Sequence, residues 1–223
     1  MSDLATGNAA LKGCDPFEWK RALEEKNWKC EPENLEEALE VQRKVAEVAK
    51  EVWGPVTGWK VGLTGEESKR KFGGGPITGP LFRDGLLGNG SSVELAKLSD
   101  PLAEPEIFFC DGSFFLAIEI PDNRYGKRWD ELNWLMLLAD LAASNKVVVG
   151  KEVELRDGEE VRVSGPGVNL VGRIDMKRIN ANVELLKDKE GCLLLGTVAD
   201  PFKPTAGEYV MECCGGRATV KFI

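Results

Sequence analysis

The hydrophobic period of this chain changes at Gly54-Pro55, and that change limits what the chain can fold into. Before it, apolar residues recur at helical spacing. After it, they come mostly in short runs bounded by Gly, Pro and Asp. Asp15-Pro16-Phe17-Glu18 reads as a helix start, with Asp15 as cap, Pro16 at the first helical position and Glu18 closing a capping box. This helix is expected to run to about Trp28. Asn34 and Glu37 repeat the signal. Leu35, Leu39, Gln42, Ala46, Ala49 and Trp53 then define the inner face of a second helix, which Gly54-Pro55 ends. The small, polar residues 1–13 are expected to fray.

Beyond the break, Trp59-Lys60-Val61-Gly62-Leu63 reads as a short strand and Gly65 to Phe72 as one or two helical turns. Gly73-Gly74-Gly75-Pro76 and Gly79-Pro80 read as a flexible loop region. Glu104 to Cys110 and Phe114 to Ile120 are strand-like. Trp129 to Ser144 reads as a third helix, with Leu132, Leu135, Met136, Ala139 and Ala143 on one side. Glu152 to Leu155 and Glu160 to Val163 alternate around Asp157-Gly158, a hairpin signal. A helix over Asp175 to Lys187 precedes a closing hairpin around Gly215-Gly216. The reading is α+β, with an N-terminal helical region over 1–56 and a mixed β body over 57–223, together one structural unit.

Composition narrows the chemistry. With 223 residues the chain can hold a core without metal or disulfide staples. Its formal charge of −8 gives no footprint for nucleic acid or an anionic membrane. No apolar run approaches the roughly 18 residues of a spanning helix, and the N-terminus lacks a signal-peptide pattern, so a cytoplasmic protein is expected. There is no histidine, which removes Ser-His, Cys-His and His-ligated zinc schemes. The six cysteines form no C-x-x-C pair. Free buried thiols are expected, with Cys213 and Cys214 on opposite faces of a strand.

Acid–base or metal chemistry therefore falls to carboxylates and lysine. Glu104 and Glu106 stand at i and i+2 on a strand, so they share a face, and Ile107-Phe108-Phe109 follow at once. Packed carboxylates need a compensating cation, and a hard divalent ion accepts such oxygen ligands. A solvated strand edge would suit the pair equally well. Glu119, between Ile118 and Ile120, is a third candidate. A four-residue loop after Cys110 would set Glu119 opposite Glu106, whereas a three-residue loop would turn it to the other face. Lys60, in an apolar run, is either a snorkelling strand residue or a cation for an anionic substrate. Gly73-Gly74-Gly75 lacks the P-loop continuation and reads as a mobile loop.

These segments together resemble a known family. Gly58-Trp59-Lys60-Val61-Gly62-Leu63-Thr64 is similar to the YKIGLT-type motif of 2-keto-4-pentenoate hydratases, and Gly79-Pro80-Leu81-Phe82 to the loop that follows it. Ala103-Glu104-Pro105-Glu106-Ile107-Phe108-Phe109 resembles their E-x-E-I-A-F strand, and Ala117-Ile118-Glu119-Ile120-Pro121-Asp122-Asn123-Arg124 their A-L-E-I-x-D-S-R. Ala139-Asp140 to Gly150 resembles the S-D-N-A segment, and Leu195-Gly196-Thr197 the late S-G-S stretch.

The family is the hydratase/decarboxylase branch of the fumarylacetoacetate hydrolase superfamily. The resemblance implies a mixed β-roll behind N-terminal helices, with Mg²⁺ or Mn²⁺ held by Glu104, Glu106 and Glu119. It implies Lys60 as the catalytic residue, with Gly79, Leu81, Asp122 and Thr197 near a small 2-oxo acid substrate. It also implies a homo-oligomer and a role in aromatic catabolism. Hydration of a 2-hydroxy-2,4-dienoate is the leading expectation. Decarboxylation of a 2-oxo diacid, acylpyruvate C–C hydrolysis and a non-catalytic metabolite-binding role are the alternatives. Three departures stand out. Glu106 and Glu119 are only thirteen positions apart, Pro76-Ile77-Thr78 replaces an acidic loop, and Ala139-Asp140-Leu141 replaces S-D-N.

Overall fold

The computed structural model describes residues 13–223. Except for Gly13, the segment expected to fray lies outside the described residues. Two helices open the described chain, α1 (Pro16–Glu25) and α2 (Leu35–Trp53). Then come β1 (Val56–Gly62), α3 (Glu66–Phe72), β2 (Ile77–Phe82), β3 (Leu86–Gly88), β4 (Ser92–Val93), β5 (Glu104–Cys110) and β6 (Ser113–Ile120). The remainder is α4 (Trp134–Ala139), β7 (Lys146–Val153), β8 (Glu160–Gly165), β9 (Val168–Arg173), α5 (Met176–Leu185), β10 (Cys192–Thr197), β11 (Gly207–Cys213) and β12 (Gly216–Phe222). A seven-stranded sheet runs β2-β1-β10-β5-β6-β7-β3 and a five-stranded sheet runs β4-β12-β11-β8-β9. Both mix parallel and antiparallel pairs. This is an α+β fold, a helical pair on a mixed β-roll. No described helix is long and apolar enough to cross a membrane.

The alternating strand pattern separates two environments. Ile107, Leu116, Ile118 and Val148 leave the seven-stranded sheet on one face. They join Val161, Val163, Met211 and Val220 of the five-stranded sheet in the main core. Each such side chain contributes about 1.5–3 kcal/mol by leaving water. A second core lies under the helices, where Trp19, Ala38, Val41, Val45, Ile77, Phe82 and Leu137 meet.

Several local expectations change in the fold. Asp15 caps α1 by accepting from Phe17 N–H, but Glu18 turns to Arg21 and closes no box. The helix stops at Glu25 because Lys26 enters the left-handed region and returns its N–H to the Ala22 carbonyl. Trp28 is thereby freed to pack its buried ring beside Tyr125. In α2 the inward row is Ala38, Val41, Val45 and Val48, with Gln42 and Ala49, while Leu35 and Leu39 are exposed. The helix has two overlapping apolar rows, and packing chose the smaller side chains. Gly79 and Pro80 are not loop residues; they lie in β2, an edge strand where proline displaces no ladder bond. The Asp157-Gly158 hairpin does not form either. β7 pairs with β6 and β3, and β8 pairs with β9 and β11, so the turn links two sheets. Alternation defines a face and leaves the partner open.

The expected helix over Trp129 to Ser144 is broken into a short 3-10 turn at Trp129–Glu131, α4, and a second turn at Leu141–Ala143. All three residues of that last turn have φ near +55°. Its cause is a buried charge pair. Asp140 Oδ1 accepts from Trp19 Nε1 at 2.7 Å and from Arg124 at 2.9 Å. Arg124 also donates to the Ser144 carbonyl, and its guanidinium lies 5.5 Å from the Trp19 ring and 5.1 Å from the Trp53 ring. Continuing the helix would carry Asp140 and Ser144 away from this cation.

The cysteines also differ from expectation. Disulfides join Cys14 to Cys30 and Cys110 to Cys192, leaving Cys213 and Cys214 free. Cys110 and Cys192 face each other across neighbouring strands β5 and β10 with Cα atoms 4.5 Å apart, within disulfide reach.

Arg124→Met should destabilise the protein by about 3–5 kcal/mol, because it strands the buried Asp140 carboxylate without its cation. Arg124→Met combined with Asp140→Leu should recover much of that loss. Urea unfolding of both variants measures it; a loss below about 1 kcal/mol in the single variant would show that the pair is not what locks the helices to the β-roll.

Candidate metal centre

The hairpin β5–β6 delivers three carboxylates. Its loop is Asp111-Gly112, both at positive φ, a two-residue type I′ turn tighter than either loop length considered from sequence. The tighter turn pairs Cys110 with Ser113 and Glu104 with Glu119. Directly paired residues share a face, so Glu119 joins Glu104 and Glu106 on the side away from the main core. Each of the three offers a carboxylate oxygen, and these oxygens lie within 4.8 Å of one another.

Lys60 comes from β1, three strands from β6 in the sheet order. On a flat sheet that separation would be roughly 14 Å. Yet its ammonium donates to Glu119 Oε1, so the sheet curls and these residues lie on its concave face. Lys60 is only 4% exposed and is no snorkelling residue.

Glu106 has a dedicated donor. The β10–β5 register shifts between Leu194 and Thr197, a bulge containing Gly196 at φ +91°. The bulge turns Gly196 N–H out of the ladder and onto Glu106 Oε2 at 3.0 Å. Glycine meets that backbone angle without a side-chain penalty. The sequence reading passed over Gly196 as a functional group, although an isolated glycine inside a strand pattern is the ordinary sign of a bulge.

Leu81, Phe108, Ala117, Val147 and Leu194 form a small apolar cluster on the same concave side. Leu81 is thus placed in the wall beside the carboxylates. Gly79 pairs with Lys60, but a side chain there would strike the Leu141 carbonyl at 2.1 Å, so its bareness serves packing of the left-handed turn. Thr197 pairs with Glu106 in β10. Asp122 is not brought to the cluster; its carboxylate accepts from Ser99 and Asp100 N–H at 2.8–3.0 Å and anchors a loop. Ile77 is core and the Thr78 carbonyl accepts from Gln42, so the segment before Gly79 supplies no acid.

The electrostatics are unbalanced. Burial raises the pKa of Glu104 to about 7, reinforced by the Glu119 charge and opposed by Lys60. Burial, then Glu119 and Glu104, raises Glu106 well above the carboxylate range. Burial also raises Glu119 against the pull of Lys60. The Lys60 ammonium is disfavoured by burial, but the three glutamates outweigh this and raise its pKa. With all three carboxylates ionised, the single ammonium leaves two negative charges unmatched. Glu119 Oε2 is buried with no hydrogen-bond partner. An all-oxygen donor set, two charges in excess and an orphaned carboxylate oxygen fit a hard divalent cation.

No protein-family model matches the chain. No curated protein sequence matches it either. Solved structures do match its fold. The 4-oxalocrotonate decarboxylase from Pseudomonas putida G7, complexed with magnesium and adipate, aligns with TM-score 0.79 over 93% of this chain and 95% of that one, at 20% identity. Its complex with calcium and acetate aligns with TM-score 0.71 over 84% and 85%, at 20% identity. The 2-hydroxyhepta-2,4-diene-1,7-dioate isomerase from Mycobacterium marinum aligns with TM-score 0.54 over 75% and 74%, at 14% identity. The likeness is one of fold, and the fold is fumarylacetoacetate hydrolase-like.

Without metal, the raised carboxylate pKa values set a pH dependence. The folded protein keeps protons that the unfolded chain releases near the ordinary carboxylate value of 4.5, so the stability they contribute is lost as pH rises toward about 7. In chelator the melting temperature should fall between about pH 5 and pH 7, and Mg²⁺ should restore it at the upper end. Saturation at 100 times the dissociation constant is worth about 2.7 kcal/mol. Glu106→Gln should abolish the Mg²⁺-dependent rise; a full rise in that variant would exclude Glu106 as a ligand.

Proposed function

We propose that this protein is a Mg²⁺- or Mn²⁺-dependent lyase that decarboxylates a small 2-oxo diacid. The carrying observation is the clustered triad of half-buried Glu104 and buried Glu106 and Glu119, whose carboxylates outnumber the one ammonium, Lys60, hydrogen-bonded into it. A hard divalent ion held there would supply Lewis acidity to the 2-oxo group of such an acid, stabilising the negative charge left when carbon dioxide departs.

The chain's own residues have distinct tasks. The three glutamates would hold the ion, and Gly196 N–H fixes one oxygen of Glu106. Glu119 holds Lys60 through one oxygen and keeps the other free for the ion. The glutamates keep the Lys60 ammonium protonated, so Nζ can deliver a proton to the carbon that loses carboxylate. Leu81, Phe108 and Leu194 exclude water from this side of the site. Decarboxylation requires an electron sink and a proton donor. Hydration requires in addition a base for water, and β2 supplies none at Ile77 or Thr78. The fold's likeness to a magnesium-bound 4-oxalocrotonate decarboxylase supports the same reading.

The test is turnover of 4-oxalocrotonate by the Mg²⁺-loaded protein, followed by carbon dioxide release, beside a 2-hydroxydienoate scored for water addition. Carbon dioxide release is expected. Water addition alone would replace decarboxylase by hydratase, and no turnover of either compound would remove the lyase reading. Lys60→Met should lower turnover about 10²–10⁴-fold while leaving the Mg²⁺-dependent melting shift in place. Full activity in a folded Lys60→Met protein would remove Lys60 from the mechanism.

A further inference from the structure

Away from the glutamate triad, the two free cysteines adjoin at the tip of the β11–β12 hairpin. Cys213 ends β11 on its buried side. Cys214 and Gly215 form a two-residue turn with φ of +53° and +72°. Turns of this type favour Asn or Gly at the first position, and another residue there costs of order 1–2 kcal/mol. The left-handed backbone at Cys214 swings its thiol back over Cys213, so the sulfurs are 3.0 Å apart and do not lie on opposite faces of a strand. Cys214 is partly exposed and borders a cleft of about 310 Å³, with Glu152, Glu154, Arg156 and Glu159 around it.

We infer that Cys213 and Cys214 form a capture site for monosubstituted trivalent arsenicals, electrophiles that bridge two neutral thiols. Three features select this class over a divalent metal ion. A tetrahedral zinc ion with Zn–S bonds of about 2.3 Å would hold its sulfurs roughly 3.8 Å apart. The observed 3.0 Å suits a pyramidal centre with both sulfurs on one side. Second, among the described residues the glutamate triad is the group of three ligand side chains close enough to share an ion, so the thiol pair lacks a third protein ligand. An arsenical carries its third substituent as its own carbon. Third, a metal cation requires thiolates. Burial, the neighbouring thiol and Glu159 keep Cys213 protonated. The arsenical reaction consumes thiols as such: C6H5AsO plus two RSH gives C6H5As(SR)2 plus water. Two As–S bonds form, the As–O bond is lost, both thiol protons leave in the water, and arsenic stays trivalent. Cys214 reacts first because it faces the cleft, and Cys213 closes the ring intramolecularly.

The test uses the full chain without reductant, so that the Cys14–Cys30 and Cys110–Cys192 bonds stay closed, and phenylarsine oxide as probe. One phenylarsenic per chain is expected in the intact mass, together with loss of both titratable thiols. The adduct should resist a monothiol and be released by a dithiol. Cys214→Ser should weaken retention by about 10²-fold or more, the usual gain from making a second contact intramolecular. Cys214→Asn, which suits the left-handed turn, should behave alike and guards against misfolding of the serine variant. Unchanged retention in either folded variant, absence of an adduct in wild type, or a Cys213–Cys214 pair found already oxidised would each overturn the inference.

Discussion

Three carboxylates face one ammonium on the concave side of a curled sheet, and much of the architecture answers that arrangement. An isolated buried carboxylate is expensive, and three together are untenable in a flat, dry interface. The curl brings Lys60 across from β1 to Glu119. The bulge at Gly196 supplies a backbone donor to Glu106. The opposite face of the same strands stays wholly apolar against the second sheet, so the charged residues alternate with core residues one position away. What remains is two carboxylates without a cation and one orphaned oxygen, an incompleteness that a structural ion pair does not show.

The second buried charge cluster shows the contrast. Arg124 and Asp140 balance one to one, and Trp19 and the Ser144 carbonyl take further hydrogen bonds. Two tryptophan rings flank the guanidinium. That cluster ties α1 and α2 to the β-roll and fixes the left-handed turn that packs on Gly79, next to Lys60 in the sheet. One network is balanced and holds the scaffold. The other leaves two carboxylates without a cation of their own.

Much of this was legible in the residues, with definite limits. Asp15, Asn34 and Asp175 marked true helix starts because capping is local chemistry. Glu104 and Glu106 could be placed on one face because strand periodicity is local too. Glu119 could not be assigned to that face, since its orientation depended on one residue of loop length, and the Asp-Gly type I′ turn decided it. The break at Asp140 was hidden because its cause, Arg124 held between Trp19 and Trp53, is tertiary. The pairing of β7 and β8 with other strands was hidden for the same reason. Asp122 matched a motif, but its carboxylate is taken up by backbone amides of Ser99 and Asp100, which no motif reveals. The Cys110–Cys192 disulfide joins segments 82 residues apart, where spacing carries no information, and Cys14–Cys30 depends on how the chain turns back after α1.

The tight β5–β6 hairpin has a consequence for the order in which the protein assembles. All three glutamates belong to one local element, yet Glu104 and Glu119 are directly paired, and like charges so placed oppose zipping of the hairpin. The cation and the amide that relieve this repulsion arrive from β1 and β10, far away in the chain. The hairpin therefore gains its stability only after long-range strand pairing has been established, and such non-local pairing is slow. A divalent ion held by the three glutamates would offer a shortcut, since it would neutralise the local carboxylates before the distant strands dock.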